Sequence, residues 1–224
     1  MPGPGAMLMG EEEKRELLDL IDGWHLVRFG NEDDPAFKEK TFQLEQLVAT
    51  RTEMKFAVAT NSGTSALLTA LSALGVGPGD EVIVPGYTYV ASISSIIYAR
   101  AIPVLAEIDC ALNLDPEDVR AKITPRTKAI VAVHMLGNSP RMDEIKTIAD
   151  ERDMLLVEDC AQAFGASYHG VPVGSMGDMG IFSFNVFKVV NAGKGGMVVT
   201  SDETLYRRAF AFHDQDTARC ARMW

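Results

Sequence analysis

The segment GIFSFNVFKVVNAGKGGMVVT, Gly180 to Thr200, sets Lys188 behind an aromatic strand-like run, among apolar neighbours and ahead of a glycine-rich turn. A lysine serving solubility has no reason to sit there. Desolvation favours the neutral amine over the ammonium, and the neutral amine is the form that attacks an aldehyde. The alternative is an amine that reaches water along its stem. Upstream, LLVEDCAQAFGA (Leu155 to Ala166) ends an apolar run in two adjacent acids, Glu158 and Asp159. Burying a carboxylate is costly without a partner. A pyridinium nitrogen is one such partner, since the acid keeps the ring protonated and electron-withdrawing. A metal ion or a hydrogen-bond network is the other, although His25, His134, His169 and His213 show no ligand spacing with Asp159.

Two further segments offer binding rather than reactivity. AVATNSGTSALLTALSAL, Ala57 to Leu74, is a strand, a polar turn and an apolar-periodic helix, so the helix N-terminus presents free backbone N–H groups to an anion. Gly63 permits close approach, and the hydroxyls of Ser62, Thr64 and Ser65 add donors, unless they serve only as caps. VPGYTYVAS, Val84 to Ser92, brings Tyr87 and Tyr89 to a strand end, where an aromatic ring either covers a flat cofactor or rests with its hydroxyl in water.

Placing these groups requires a sheet whose strands all point their ends at one edge. Short apolar runs predict strands at Phe56 to Ala59, Glu81 to Val84, Pro103 to Glu107, Ala129 to His134, Met154 to Glu158, Ile181 to Phe184 and Met197 to Thr200. Helical spacing predicts helices at Glu11 to Ile21, Pro35 to Thr50, Thr64 to Leu74, Thr88 to Arg100, Pro116 to Ile123, Met142 to Arg152 and Glu203 to Phe212. Asp115 before Pro116 reads as a cap followed by proline at the first helical position. Strands alternating with helices imply a largely parallel sheet, and ligands of such sheets gather beyond the carboxyl ends of the strands.

The 224 residues, 47% hydrophobic, suffice for a substantial core. A formal net charge of -10 argues against a nucleic-acid surface. No apolar run reaches the ~18 residues of a membrane span, and Met1 to Gly10 lacks signal-peptide character. A cytoplasmic protein without a membrane partner is expected. Cys110, Cys160 and Cys220 are an odd number at wide spacings and read as reduced thiols rather than a disulfide framework or zinc site.

Taken in order, NSGTSAL, VPGYTYVAS, VEDCAQAFGA and GDMGIFSFNVFK with its following GKGG make the chain resemble the DegT/DnrJ/StrS group of pyridoxal-phosphate (PLP) dependent sugar and cyclitol aminotransferases. The likeness runs from about Gly10 to Phe212. It implies the aspartate-aminotransferase type of fold: α/β, three layers α/β/α, with a mixed but mostly parallel seven-stranded sheet. Residues 1–50 would form an N-terminal arm and helices, and 51–224 the cofactor-binding large domain. Relatives continue into a smaller C-terminal domain, which these residues do not reach.

Position by position, the resemblance implies that Lys188 holds PLP as a Schiff base and acts as the base that moves a proton. Asp159 would pair with the pyridinium nitrogen, Tyr89 stack on the ring, and Gln162 lie near its phenolic oxygen. Gly63, Thr64 and Ser183 would hold the phosphate. It further implies an amino-acid donor, glutamate or glutamine, a keto-sugar or cyclitol acceptor, and a homodimer. Lys194 departs from the group, most of whose members carry glutamate there. Two other readings are a sugar dehydratase of the same group, whose members have histidine at the position of Lys188, and a non-catalytic cofactor-binding module. A nicotinamide enzyme is disfavoured, because no dinucleotide fingerprint follows the first strand.

Overall fold

In the central strands, neighbouring apolar side chains bury on alternate faces, which is how one short run supplies two cores. The computed structural model describes residues 3–24, 26–28, 30, 34 and 37–213. In chain order the elements are α1 (Glu11–Asp22), α2 (Lys40–Arg51), β1 (Phe56–Thr60), α3 (Gly63–Ala73), β2 (Glu81–Pro85), α4 (Val90–Tyr98), β3 (Ile102–Ala106), α5 (Pro116–Lys122) and β4 (Thr127–Val133). They continue with α6 (Met142–Glu151), β5 (Leu155–Asp159), β6 (Ser167–Tyr168), β7 (Val171–Pro172), β8 (Met179–Ser183), β9 (Gly196–Thr200) and α7 (Glu203–His213).

Seven strands form one sheet in the order β1-β9-β8-β5-β4-β2-β3. Pairs β3/β2, β2/β4, β4/β5 and β5/β8 are parallel, while β9 runs antiparallel to both β8 and β1. This is the expected mixed, mostly parallel arrangement. On one face Val82, Val84, Val131, Val157 and Ile181 pack with Leu67 and Leu71 of α3, Ile96 of α4 and Phe210 of α7. On the other, Ile83, Ile130 and Leu156 meet Val119 of α5 and Ile145 and Ile148 of α6, and Phe182 and Val199 meet Val48 of α2. Three layers result, with the ends of β2, β4, β5 and β8 at a common edge.

Two helix starts differ from the sequence expectation. The helix expected from Pro35 begins at Lys40: Pro35 and Ala36 lie outside the described residues, and Glu39 takes a left-handed conformation (φ 47°) that stops a helix running through it. The helix expected from Thr88 begins at Val90, because Tyr89 is extended (φ -69°, ψ 139°) as its N-cap. The two-residue strands β6 and β7 form a small hairpin that periodicity did not indicate. No described helix is long and apolar enough to cross a membrane.

Candidate active site

The cavity at the strand-end edge is built first by the turn between β1 and α3. Ser62 caps α3, its Oγ accepting from the Ser65 N–H at 3.1 Å. The first N–H groups of the helix, at Gly63 and Thr64, have no intrahelical partner and carry the positive end of the helix dipole. Ser183, closing β8, presses against this turn: a Cβ built on Gly63 would stand 2.7 Å from the Ser183 Cβ. Glycine is therefore what lets the hydroxyl of Ser183 and the N-terminus of α3 converge.

At the end of β5, strand alternation sends Glu158 and Asp159 to opposite faces. Asp159 turns toward α4. Its Oδ2 accepts from Ser92 Oγ at 2.7 Å and its Oδ1 from the Ala161 N–H at 3.1 Å. Each oxygen keeps acceptor capacity for a further partner. Burial raises the Asp159 pKa from its ordinary value, against the pull of Ser92, Ala161 and the charge of Lys188.

Glu158 turns to the other face and is fully buried. Its Oε1 accepts from the N–H groups of Met176 (2.6 Å) and Gly177 (2.7 Å), and its Oε2 from the Gly174 N–H (2.9 Å). His134 Nε2 lies 3.0 Å from the same Oε2, and Ser139 Oγ meets His134 Nδ1 at 2.9 Å. Cys160 joins His134 and Glu158 in a buried group whose ligand atoms lie within 4.8 Å. Burial, aided by the two neighbouring acids, keeps its thiol well above the usual pKa and hence protonated. With three backbone N–H donors and His134 on Glu158, this group is a hydrogen-bond network, one of the options the sequence left open for the acid pair.

Lys188 follows β8 in a loop held by its own N–H to Asn185 O at 2.8 Å. Its amine is half-buried, and burial lowers its pKa, with Asp159 opposing. The Nζ lies 5.9 Å from the centroid of the Tyr89 ring, and it makes no hydrogen bond or ion pair among the described residues. A cavity of about 650 Å³ gathers Gly63, Thr64, Tyr89, Asp159, Gln162, Ser183 and Lys188, the residues to which the family resemblance gave roles, together with Ser62, whereas Ser65, Tyr87 and Glu158 do not line it. Tyr89 rather than Tyr87 lines it, from the N-cap position of α4, with its ring still largely exposed. Gln162 is partly committed, its Oε1 accepting from the Leu136 N–H at 3.1 Å.

Ser92, Thr88 and Asn185 also line the cavity, and the sequence reading passed over them. Thr88 Oγ1 lies 3.0 Å from Ser92 Oγ, so a hydroxyl pair leads to Asp159. The only sequence signal was their position within VPGYTYVAS and SFNVFK; the contact between Ser92 and Asp159 spans 67 residues of chain.

The profile of the DegT/DnrJ/EryC1/StrS aminotransferase family matches residues 25–224. The chain belongs to that family. Among its relatives, GDP-perosamine synthase of Caulobacter vibrioides is 44% identical over 81% of this chain and 49% of its own length. The L-glutamine:2-deoxy-scyllo-inosose aminotransferase of Streptomyces kanamyceticus is 47% identical over 74% of this chain and 38% of its own. Among solved structures, an aminotransferase from Psychrobacter cryohalolentis superposes with a TM-score of 0.85 at 38% identity, covering 95% of this chain and 52% of that one. The chain thus spans about half the length or less of these family members. The donor set suits a flat cofactor with an anionic tail and a cationic ring nitrogen: a helix N-terminus with hydroxyls, a buried carboxylate with acceptor capacity to spare, an aromatic face and an amine without a partner.

Proposed function

We propose that the protein acts as a PLP-dependent aminotransferase, with Lys188 as the residue that binds the cofactor covalently. The observation that carries this reading is the convergence, in one cavity, of a desolvated amine, a buried carboxylate and an open helix N-terminus. Bound there, PLP supplies an aldehyde for the amine and a protonated ring that withdraws electrons from the reacting carbon.

The chain's own groups divide the remaining work. Gly63, Thr64 and Ser183 hold the phosphate by backbone N–H and hydroxyl donors, where the dipole of α3 favours negative charge. Asp159, steadied by Ser92 and the Ala161 N–H, holds the proton on the ring nitrogen. Tyr89 covers one face of the ring and Gln162 stands near its phenolic oxygen. Lys188 Nζ, whose pKa burial lowers from its ordinary value, would take a proton from the substrate carbon and return it to the cofactor.

The family and its members named above support transfer of an amino group from glutamate or glutamine to a ketone on a nucleotide-linked sugar or a cyclitol. Two copies are expected to associate. The decisive test mixes the protein with PLP and records its visible spectrum. A Lys188-dependent absorption band is expected; its absence, or an unchanged band in Lys188→Ala, overturns the proposal.

A further inference from the structure

Behind the cofactor cavity lies a second one, of about 640 Å³, and the two share Lys194 and Gly195 as a wall. The backbone of this wall is fixed. Gly193 N–H donates to Asn191 Oδ1 at 2.6 Å, Lys194 N–H to Ala192 O at 2.8 Å, and Phe184 N–H to Gly195 O at 2.9 Å. Gly193 and Gly195 take positive φ (73° and 149°), and a Cβ on Gly196 would stand 2.4 Å from Ser62 O. The turn is therefore clamped against the N-terminus of α3 while the Lys194 side chain stays exposed.

Charge then decides what this wall can recognise. Asp159 is buried at the end of β5, held by Ser92 and the Ala161 N–H, and burial lowers the pKa of Lys188. Arg28, on the far side of the second cavity, forms an ion pair with Glu45 and donates to Ala59 O at 2.9 Å. Lys194 has no ion pair or side-chain hydrogen bond among the described residues. Its ammonium, beside the positive end of α3, makes the boundary shared by the two cavities cationic.

We infer that Lys194 is a specificity-determining residue that binds an anionic group of the substrate, a carboxylate or a phosphate, where the two cavities meet. The inference rests on the aminotransferase reading. The two sources of the anion are the carboxylate of the amino-acid donor and the phosphate of a nucleotide-linked acceptor.

Steady-state kinetics of the wild-type protein and of Lys194→Met, Lys194→Glu and Lys194→Arg separate them, using glutamate and glutamine as donors and a nucleotide-linked ketosugar and an uncharged cyclitol ketone as acceptors. Lys194→Met should raise one KM about tenfold or more, the worth of a charge-assisted hydrogen bond, with a smaller effect on kcat. Lys194→Glu should raise it further, and Lys194→Arg should largely restore it. The same KM should rise with salt in the wild type and less so in Lys194→Met. A shift confined to the donors assigns the carboxylate; one confined to the nucleotide-linked acceptor, sparing the cyclitol ketone, assigns the phosphate. Unmoved KM values, or a loss of cofactor affinity in their place, overturn the inference while the Lys188-dependent absorbance stands. If that absorbance is missing in the wild type, the parent reading fails and takes this one with it.

Discussion

Glu158 and Asp159 are consecutive residues whose carboxylates serve opposite faces of the sheet: Glu158 meets His134 Nε2 at 3.0 Å on the α6 side, and Asp159 meets Ser92 Oγ at 2.7 Å on the α4 side. One strand end thus carries a structural acid and a site acid back to back. The first fixes the Gly174–Gly177 turn and the end of β4, where the His134 N–H also donates to Asp159 O at 3.0 Å.

The two acids should therefore fail differently. In Glu158→Gln an amide NH₂ must face backbone N–H groups or His134, leaving buried donors opposed. Breaking such a buried charged network costs about 3–5 kcal/mol. Denaturant unfolding should show that loss with or without cofactor, and a variant as stable as the wild type would contradict the assignment.

Asp159→Asn should behave in the opposite sense. Burial raises the Asp159 pKa, so the cofactor-free folded protein holds this proton to higher pH than the unfolded chain does. That contribution is full below the unfolded value and is lost as pH rises through the raised one. Asparagine can keep both existing hydrogen bonds and carries no charge to desolvate. Thermal melts of the cofactor-free protein should show Asp159→Asn at least as stable as the wild type at neutral pH, with the pH slope flattened. PLP should then raise the Tm of the wild type more than that of the variant, since only the carboxylate meets a cationic ring nitrogen.

The amine should report its own surroundings. Burial lowers the Lys188 pKa from the ordinary 10.5. The rate at which the protein captures PLP should climb with pH to a plateau whose midpoint falls below that value, because only the neutral amine attacks. Stopped-flow absorbance would measure it. A midpoint at or above the ordinary lysine value would mean the amine stands in bulk water. The sign for stability follows: the unfolded chain binds this proton more readily, so stability rises with pH between the lowered value and the ordinary one.

Much of this was legible in the chain because strand burial and site chemistry leave different marks. Runs such as Ala129 to Val133 and Met197 to Val199 announce buried strands by being apolar on both faces, and Lys188 stands out by interrupting an apolar run, although the structure leaves its neighbours Phe187, Val189 and Val190 exposed in a loop. Asp159 was suspect for the same reason, yet its neighbour Glu158 looked identical. Only the pleat and the fold of a distant turn separate them, and no local pattern encodes contacts between Glu158 and residues 16 to 19 positions away. Ser92 was hidden similarly, as one serine among several in an apolar helix. The β6/β7 hairpin escaped notice because two-residue strands have no periodicity to read.

Gly63 offers a test in which local and tertiary effects pull against each other. It opens α3, where alanine would be the better helix former by about 0.5–1 kcal/mol. Its missing Cβ, however, is the space that lets Ser183 approach, with contacts of 2.7 Å to Cβ and 3.1 Å to Oγ if one were present. Overpacking of that kind costs about 1–3 kcal/mol and displaces one wall of the anion site. Gly63→Ala should therefore be destabilised in net terms and bind PLP less tightly, on the order of tenfold. Ser183→Gly placed on top of it should recover stability, because the clashing side chain is gone, without recovering full affinity, because the hydroxyl is gone too. A double-mutant cycle on stability should thus give a coupling of about 1 kcal/mol or more; additive effects would show that the two residues do not press on one another.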